Sequence, residues 1–575
     1  MTVAPSITSL CAAVDAASMM RHLEEFARRV KLSGTAEEAE SFEYLRGTLD
    51  GYGFRTELVR HDAYISLPGK ASITTDGASP DCITHSFSRS SGPGGTRGTL
   101  VYGGYGRAED LAGLDLRGRV VLLEAIANPA ASLRASRAGA VGQVHISPHE
   151  HLHEMCISPV WGSPTPDSVT DLPSTVVVSV RKADGDALKR RVQAGETLDA
   201  TLHAAVDTGW RTTPLLVAEL PGREGDDEPF VMFSGHHDTW YHGVMDNGGA
   251  NATMLEVARL LAPYRGAWRR GLRLCFWSGH SHGRYSGSTW YADTHWDELA
   301  RRCIAHVNVD STGAQGNTVM ADALSSAELR GLAAEAVCAQ GGQELEGLRM
   351  SRAGDQSFWG IGVPSLFMGM GEQPAGSSNV MGTVLGGGSR KGAGFGWWWH
   401  TPDDTLDKMD PELLVRDTRV YVHAIWRLLS DRVLPLDYAA AAGALEAELE
   451  RLATSLGDRL DLGRLQERAA RLRTAVAALH ADVAEDAAER INRALMAVSR
   501  TLVPVDYTTG DRFDHDPALA QSPYPVLDPL RRLAAARAGS DEARFLHVSA
   551  VRACNRLGHA LAEALDAALR GRGAA

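Results

Sequence analysis

The chain has 575 residues, which is too long for one ordinary hydrophobic core, so we expect two to four domains. Hydrophobic residues make up 44% and charged residues 22% of the sequence, as in an ordinary soluble globular protein. The net charge of −13 disfavours nonspecific binding to nucleic acid.

Targeting and redox features point to a reducing compartment. No run of about 18 apolar residues occurs, so the sequence predicts no transmembrane helix and no membrane partner. The N-terminal stretch lacks a basic segment and is a poor match to a secretion signal. Seven cysteines are scattered without close pairs or a CxxC motif, which argues against a disulfide framework. We therefore expect a cytoplasmic protein.

The first third of the chain predicts helices, then a β-rich unit. Residues 17–52 have helical spacing of apolar side chains, and two glycines end that pattern. The stretch RTELVRHDAYIS (55–66) predicts a strand. Short strands with many Gly, Ser and Pro residues follow, up to about residue 213. This change of pattern predicts a β-rich domain, residues 63–213, inserted within another domain.

Apolar strands alternate with amphipathic helices from residue 214 onwards. The strands include PFVMFSGHHD, LRLCFWSGH and IAHVNVDSTG, and a long helix covers residues 406–432. This alternation indicates an α/β domain with a mixed, mostly parallel sheet and helices on both faces. We assign residues 1–62 and 214–435 to it. Residues 436–575 have helical spacing and predict an α-helical C-terminal domain.

Histidines and aspartates follow the ends of the predicted strands. The carboxyl ends of neighbouring strands meet in one crevice of an open α/β sheet, so we expect these side chains to converge. A mixed His and Asp set suits zinc or a similar divalent ion, and a shared Asp permits two ions. The candidates are His236, His237, Asp238, Asp246, His280, His282, Asp310 and His400.

The stretches GHHDTWYHGVMDNGGAN, NVDSTG and HTPDDT resemble the co-catalytic zinc aminopeptidase and glutamate carboxypeptidase family. The inserted unit is similar to that family's protease-associated domain, and the helical tail to its transferrin-receptor-like dimerisation domain. The resemblance implies a zinc exopeptidase-like fold and a metallohydrolase of a peptide, N-acyl amino acid or related C–N bond. It also implies one or two divalent ions, zinc or else manganese or cobalt, and a homodimer formed through the C-terminal domain.

The resemblance also assigns roles to individual residues. It implies that His236 and Asp310 bind one ion, that His400 binds the other, and that Asp246 bridges them. Asp238 would not touch metal but would orient His236 through the far ring nitrogen.

One part of the family pattern is missing. The family has two adjacent glutamates, a general base and a metal ligand, where this chain has FWSGHSHGRYSGS. Alignment on the downstream Gly-Ser pair places Ser281 and His282 there, whereas alignment on Gly283 places His280 and Ser281 there. Imidazole is a good zinc ligand and serine a poor one, so we expect His282 to replace the ligand. His280 is then the candidate general base, because histidine has a suitable pKa.

Several residues are candidates for the substrate cleft. Three consecutive tryptophans precede His400 and cannot all face the core, so we expect Trp399 to line the cleft. Arg284, Arg352 and Asp355 are weaker candidates for contacts with the substrate. We expect His237 and His242 to be solvated or to line the pocket.

The stretch HEHLH (149–153) matches the HExxH pattern of a zinc protease helix. Pro148 precedes it and the surroundings are β-rich, so a long amphipathic helix is not expected there. We therefore predict a solvated loop or a lid over the active site.

Two alternative functions fit the same sequence. Glutaminyl cyclases resemble this family and use one zinc for an intramolecular acyl transfer, but the bridging set argues against a one-metal site. A noncatalytic binding protein similar to the transferrin receptor would lose ligands, whereas most of them remain here. A metal count separates the three: two ions favour the hydrolase, one the cyclase and none the receptor.

Overall fold

The computed structural model describes residues 5–223, 225, 227–376, 391–481 and 483–573. Its α-helices are α1 (Ile7–Ala12), α2 (Ala16–Phe26), α3 (Ala36–Gly51), α4 (Ala108–Leu111), α5 (Pro129–Arg137), α6 (Lys182–Gln193), α7 (Ala250–Leu261), α8 (Ser286–Thr294), α9 (Trp296–Arg302), α10 (Arg330–Gly341), α11 (Pro411–Ser430), α12 (Tyr438–Leu456), α13 (Gly463–Ala477), α14 (Ala488–Tyr507), α15 (Asp528–Ala535) and α16 (Asp541–Arg572). Its strands are β1 (Arg55–Thr75), β2 (Cys82–Thr84), β3 (Thr96–Tyr102), β4 (Val120–Leu123), β5 (Gly142–Ile146), β6 (Val176–Val180), β7 (Asp199–Leu220), β8 (Phe230–His236), β9 (Gly271–Trp277), β10 (Cys303–Asn308), β11 (Leu324–Ser325), β12 (Leu348–Arg349) and β13 (Ser365–Leu366).

The strands form one continuous path of hydrogen-bonded neighbours. The order is β12-β11-β13-β10-β8-β9-β7-β3-β4-β5-β6-β2, and β1 pairs with β7. Strands β13, β10, β8 and β9 are parallel neighbours, so their carboxyl ends lie at the same edge of the sheet. This is the mixed, mostly parallel sheet that the sequence predicts.

Helices cover both faces of the central sheet. On one face Phe233 and Leu274 belong to a buried cluster with Leu255 of α7. On the other face Met232 packs in a separate cluster with Tyr291 of α8. Burial on both faces explains why these strands are apolar along their whole length instead of alternating.

Two long strands connect the central sheet with the inserted unit. β1 and β7 pair antiparallel from Arg55–Glu219 to Thr75–Ala200, with a register shift between Pro68 and Ala71. Beyond them β3, β4, β5 and β6 form a parallel sheet with its own buried cluster. The predicted boundaries, 62/63 and 213/214, fall inside β1 and β7, and the division into three domains stays a prediction.

The C-terminal region is helical, from α12 to α16. Its apolar side chains, including Leu449, Leu495 and Leu561, join the same large buried cluster as the central domain. Among the described residues, no helix combines the length and the apolar character needed to cross a bilayer.

Candidate metal centre and active site

His236 ends the buried strand β8 and points into the crevice beyond the sheet edge. Its Nδ1 donates to the backbone carbonyl of Asp238 at 2.8 Å, so that Nε2 is the ring nitrogen that faces the crevice. That Nε2 lies 3.1 Å from Asp246 Oδ1 and 3.6 Å from Asp310 Oδ2. Burial would lower the pKa of His236, but these two carboxylates outweigh it and raise the pKa well above its ordinary value.

Asp246 lies between two imidazoles. Its Oδ1 faces His236, and its Oδ2 is 3.0 Å from His400 Nε2. Burial would raise the pKa of Asp246, but the two rings outweigh it and hold the pKa well below its ordinary value. The carboxylate therefore has the geometry of a bridge between two cation positions.

His400 is oriented by the inserted unit. Its Nδ1 donates to the carbonyl of Glu154 at 2.7 Å, so that Nε2 faces Asp246. The ring stacks on Trp399 with centroids 3.4 Å apart, and burial lowers the pKa of His400. The imidazole of His400 thus lies against the carboxylate of Asp246.

His280 joins this group of side chains. Its Nδ1 donates to Asp355 Oδ2 at 2.6 Å, and its ring is parallel to that of His236 with centroids 3.7 Å apart. One ligand atom from each of His236, His280 and Asp310 can be chosen so that all three lie within 4.8 Å of one another. A histidine fixed by a carboxylate on one nitrogen presents the other nitrogen to a metal.

His282 does not join the group, contrary to the sequence-based assignment of this residue as the ligand. It is fully buried, its Nδ1 lies 3.0 Å from Ser33 Oγ, and its ring packs against Trp240. The Ser281 N–H donates to Asp238 Oδ2 at 2.9 Å. This anchor sends the side chains on either side of Ser281 in different directions, so that His280 and not His282 meets His236.

Asp238 also differs from its predicted role. The atom that orients His236 is the backbone oxygen of Asp238, whereas its carboxylate Oδ1 is 3.7 Å from Nδ1. The carboxylate instead accepts hydrogen bonds from Ser33 Oγ and from the loop after β9. It therefore secures the loop that carries His280.

A cavity of about 670 Å³ opens beside the group. Trp399, Arg352 and Arg284, three of the residues that the sequence suggests for the cleft, line it. Asp355 does not: it is buried, and its second oxygen accepts a hydrogen bond from Ser288 at 2.7 Å. Asp355 therefore positions His280 instead of contacting a substrate. The wall includes residues of the inserted unit and of the C-terminal region, such as Asn128, Met155, Ala518 and Leu519.

The stretch HEHLH is a partly exposed loop and not a helix: Glu150 is exposed, and His149 and His151 are half-buried. His153 is buried, and its Nδ1 donates to the carbonyl of Trp399 at 2.5 Å. The next residue, Glu154, bonds His400 through both its N–H and its carbonyl. This loop of the inserted unit packs against the segment that carries a candidate ligand.

The two histidines that the sequence left as solvated or pocket-lining differ from each other. His237 is buried in the core, with Nε2 2.7 Å from Ser41 Oγ and Nδ1 3.0 Å from Asn251 Oδ1. His242 is half-buried, and its Nδ1 donates to the carbonyl of Ala27. Neither residue lines the cavity.

Sequence reasoning missed Asp404, which is buried beside the bridge. Its oxygens accept the N–H groups of Met245 and Asp246 at 2.8 and 3.0 Å. Burial raises the pKa of Asp404 to about 7. The signal was present, because Asp404 is the second aspartate of HTPDDT, but only the fold shows what it binds.

The residues fit a divalent ion such as zinc. Within the described chain, His236 Nε2 and Asp246 Oδ1 are buried and have no partner that completes a proper hydrogen bond. Ligand atoms about 2.0–2.1 Å from a tetrahedral ion stand about 3.3 Å apart. The observed separations of 3.0, 3.1 and 3.6 Å match this spacing, and imidazole with carboxylate is a donor set that zinc accepts.

Comparisons with known proteins find similarity to peptidases. A model of peptidase family M28 matches residues 216–425. The chain is 26% identical over 268 residues to the probable glutamate carboxypeptidase VP8 of Zea mays, covering 42% of this chain and 34% of that protein. It is 24% identical over 386 residues to the probable glutamate carboxypeptidase LAMP1 of Arabidopsis thaliana, covering 52% and 54%. The chain thus spans between a third and about half of the length of these relatives.

A solved structure shares the fold. The zinc aminopeptidase BSAP of Bacillus subtilis superposes with a TM-score of 0.55 and 18% identity, covering 73% of this chain and 96% of that one. This likeness shows the fold of the central region. Residues 216–425 are therefore similar to peptidase family M28, and the fold is of the co-catalytic zinc exopeptidase-like kind.

Proposed function

We propose that the chain is a metal-dependent hydrolase of a peptide bond or a related amide bond. The main support for this proposal is the position of the Asp246 carboxylate at the edge of the cavity. Its Oδ1 lies 3.1 Å from His236 Nε2, and its Oδ2 lies 3.0 Å from His400 Nε2. The family match and the names of the relatives, which include peptidases, support this class of reaction.

Different side chains of the site have different proposed roles in hydrolysis. His236, Asp246, Asp310 and His400 would hold divalent metal. When bound, such an ion supplies a Lewis acid for the scissile carbonyl and lowers the pKa of the attacking water. The carbonyl oxygens of Asp238 and Glu154 accept hydrogen bonds from Nδ1 of His236 and His400, so that the two Nε2 atoms are the nitrogens available to a metal.

His280 is fixed in the same way by Asp355, so its Nε2 is free to bind an ion or to accept a proton. One nitrogen cannot do both at once, so the two roles exclude each other. Trp399 stacks on His400 and lines the cavity, where it limits the access of bulk water.

We further propose that the substrate carries a carboxylate near Arg284 and Arg352. Neither guanidinium forms an ion pair within the described chain; they bond to backbone carbonyls of Ser158 and Asp516, among others. Burial lowers the pKa of Arg352 to about 10, which still leaves a cation at neutral pH. Two cavity-lining cations without a carboxylate partner favour an anionic group on the substrate.

We also propose a homodimer formed through the C-terminal region. Helix α16 exposes Phe545, Val548 and Val551 by 74%, 51% and 37%, three residues apart on one side. Such an apolar stripe supports a protein interface. Sedimentation velocity should give a dimer that the double variant Phe545→Glu/Val548→Glu converts to a monomer, whereas Val169→Glu on the inserted unit should leave it intact. A monomeric wild-type chain would contradict the proposal.

We infer a reducing, cytoplasmic location from the cysteines. All seven are free thiols, and four of them are buried. Thiol titration of the denatured chain, isolated without reductant, should find seven reactive groups. Fewer groups, restored by reduction, would count against this location.

The hydrolase is tested with peptide and N-acyl amino acid libraries in the presence of zinc, manganese or cobalt. Hydrolysis in ¹⁸O-labelled water should place the label in the new carboxylate. Asp246→Asn should abolish turnover, whereas Asp403→Asn, at an exposed neighbour in the HTPDDT motif, should not. No turnover of any amide would overturn the proposal, and a cyclised product without label would favour the cyclase alternative.

A further inference from the structure

We propose that the two metal positions of this chain bind with unequal strength. His236, His280 and Asp310 form the tight position, and His400 with Asp246 forms a weak one. This inference rests on the proposed function only in placing metal at this site. The two positions differ because His280 adds an imidazole to the position of His236 and Asp310. Among the described residues, no third ligand of this kind joins His400 and Asp246.

The tight position has three well-fixed side chains. His236 and His280 both have Nδ1 held by an oxygen acceptor, at 2.8 and 2.6 Å, so both present Nε2. Asp310 is held as well, because Ser311 Oγ donates to its Oδ1 at 2.8 Å, and its Oδ2 faces His236 Nε2 at 3.6 Å. Outer partners of this kind raise the affinity of the ligands that they orient.

Asp355 makes His280 a fixed ligand instead of a mobile one. It accepts the His280 Nδ1 proton on one oxygen and a proton from Ser288 Oγ on the other. Asp355 is buried, so it has no alternative partner in solvent. The arrangement of carboxylate, histidine and ion is the common support of zinc-binding imidazoles.

The weak position lacks a third side chain. Among the described residues, the only group of three or more His, Cys, Asp or Glu ligand atoms within 4.8 Å is the one that contains His280. His400 Nε2 lies 3.0 Å from Asp246 Oδ2, and the two belong to no such group of three among the described residues. Asp246 also faces His236, so its negative charge is shared between the two positions.

Ser281 lies beside His280 in the cavity wall, but it does not provide a third ligand for the position of His400 and Asp246. Its hydroxyl is buried and has no hydrogen-bond partner within the described chain. A neutral hydroxyl is a poor zinc ligand compared with imidazole or carboxylate. An ion at His400 therefore has two protein ligands, against the three or four of its neighbour.

The test is a titration of the metal-free, full-length chain with zinc ion by isothermal calorimetry, together with cobalt absorption spectra. We expect two phases whose dissociation constants differ by about 10- to 100-fold or more. Loss of only the outer partner of a ligand already weakens metal binding by this factor, and here a whole ligand is missing. His280→Gln should abolish the tight phase. His400→Gln should remove the weak phase and keep the tight one, and His242→Gln, at a half-buried histidine outside the group, should keep both.

Asp355→Asn provides a milder variant for the case that His280→Gln does not fold. It should weaken the tight phase by roughly 10- to 100-fold and shift the cobalt spectrum. Two ions of equal affinity, or a tight phase that survives the loss of His280, would overturn the inference. If the two phases appear but no amide is cleaved, only the proposed function falls; if amides are cleaved with two equal ions, only this inference falls.

Discussion

Asp404 holds the backbone of Asp246 with both carboxylate oxygens, which accept the N–H groups of Met245 and Asp246 at 2.8 and 3.0 Å. This contact joins the segment that carries His400 to the loop that carries the bridging carboxylate. A displacement of either segment would therefore move both sides of the metal centre together.

Asp404→Asn should weaken metal binding without touching a ligand. A carboxamide can accept only one of the two N–H groups, and its NH₂ group faces the other donor. We expect zinc affinity to fall by roughly 10- to 100-fold, as for other outer partners of ligands. Calorimetry measures the change, and Asp403→Asn is the matched control because Asp403 is exposed. Wild-type binding by the Asp404 variant would show that this contact does not position Asp246.

His282→Ala should destabilise the chain and leave the metal stoichiometry unchanged. The ring is fully buried against Trp240 and bonded to Ser33, so its removal leaves a cavity and takes away one of the two hydrogen bonds of the Ser33 hydroxyl. The expected loss is about 2–4 kcal/mol of unfolding free energy. Denaturant unfolding and metal analysis by mass spectrometry give the two readouts. Loss of the tightly bound ion would restore His282 as a ligand.

Sequence spacing predicts most of the residues of the candidate metal centre, because the carboxyl ends of neighbouring strands in an α/β sheet meet in one crevice. His236 ends β8 and Asp310 follows its parallel neighbour β10, so their proximity can be expected without knowledge of tertiary contacts. The choice between His280 and His282 is different. It depends on Asp355, 75 residues away from His280, and on Ser33, 249 residues away from His282. No local pattern carries that information.

The fold, like the site, can be predicted from the sequence as far as local patterns determine it. Apolar strands buried on both faces identify the central sheet, and helical periodicity identifies the C-terminal region. Strands β1 and β7 run continuously for 21 and 22 residues from the central sheet into the inserted unit. A change of composition along the sequence cannot show such continuity, because both halves of each strand obey the same local propensities.

Arg352→Gln should impair the cleavage of acidic substrates more than that of neutral ones. The guanidinium lines the cavity, lies over the Trp161 ring and has no carboxylate partner in the described chain. A charged hydrogen bond contributes about 1.5–3 kcal/mol, which corresponds to roughly 10- to 100-fold in kcat/KM. The control is a neutral substrate in which an amide replaces the carboxylate, measured with the same variant. An equal loss for both substrates would indicate a structural role for Arg352 instead.

Glu328→Gln should raise stability in a way that depends on pH. Glu328 is 3% exposed, and burial raises the pKa of its carboxyl from 4.5 to about 7. Below pH 4.5 the group is protonated in both the folded and the unfolded chain and carries no penalty. Between pH 4.5 and 7 the unfolded chain releases the proton while the folded chain keeps it, so the unfolding free energy of the wild type falls as pH rises.

Glutamine does not ionise, so the stability of the variant relative to the wild type should grow over this range by roughly 3 kcal/mol and level off above pH 7. Denaturant unfolding at pH 5, 6, 7 and 8 measures the difference, in which the titration of the metal centre cancels because both chains share it. Glu344→Gln is the control, since it makes the same substitution at an exposed position. A difference between Glu328→Gln and wild type that stays constant from pH 5 to 8 would mean that Glu328 ionises in the folded chain as readily as in the unfolded one.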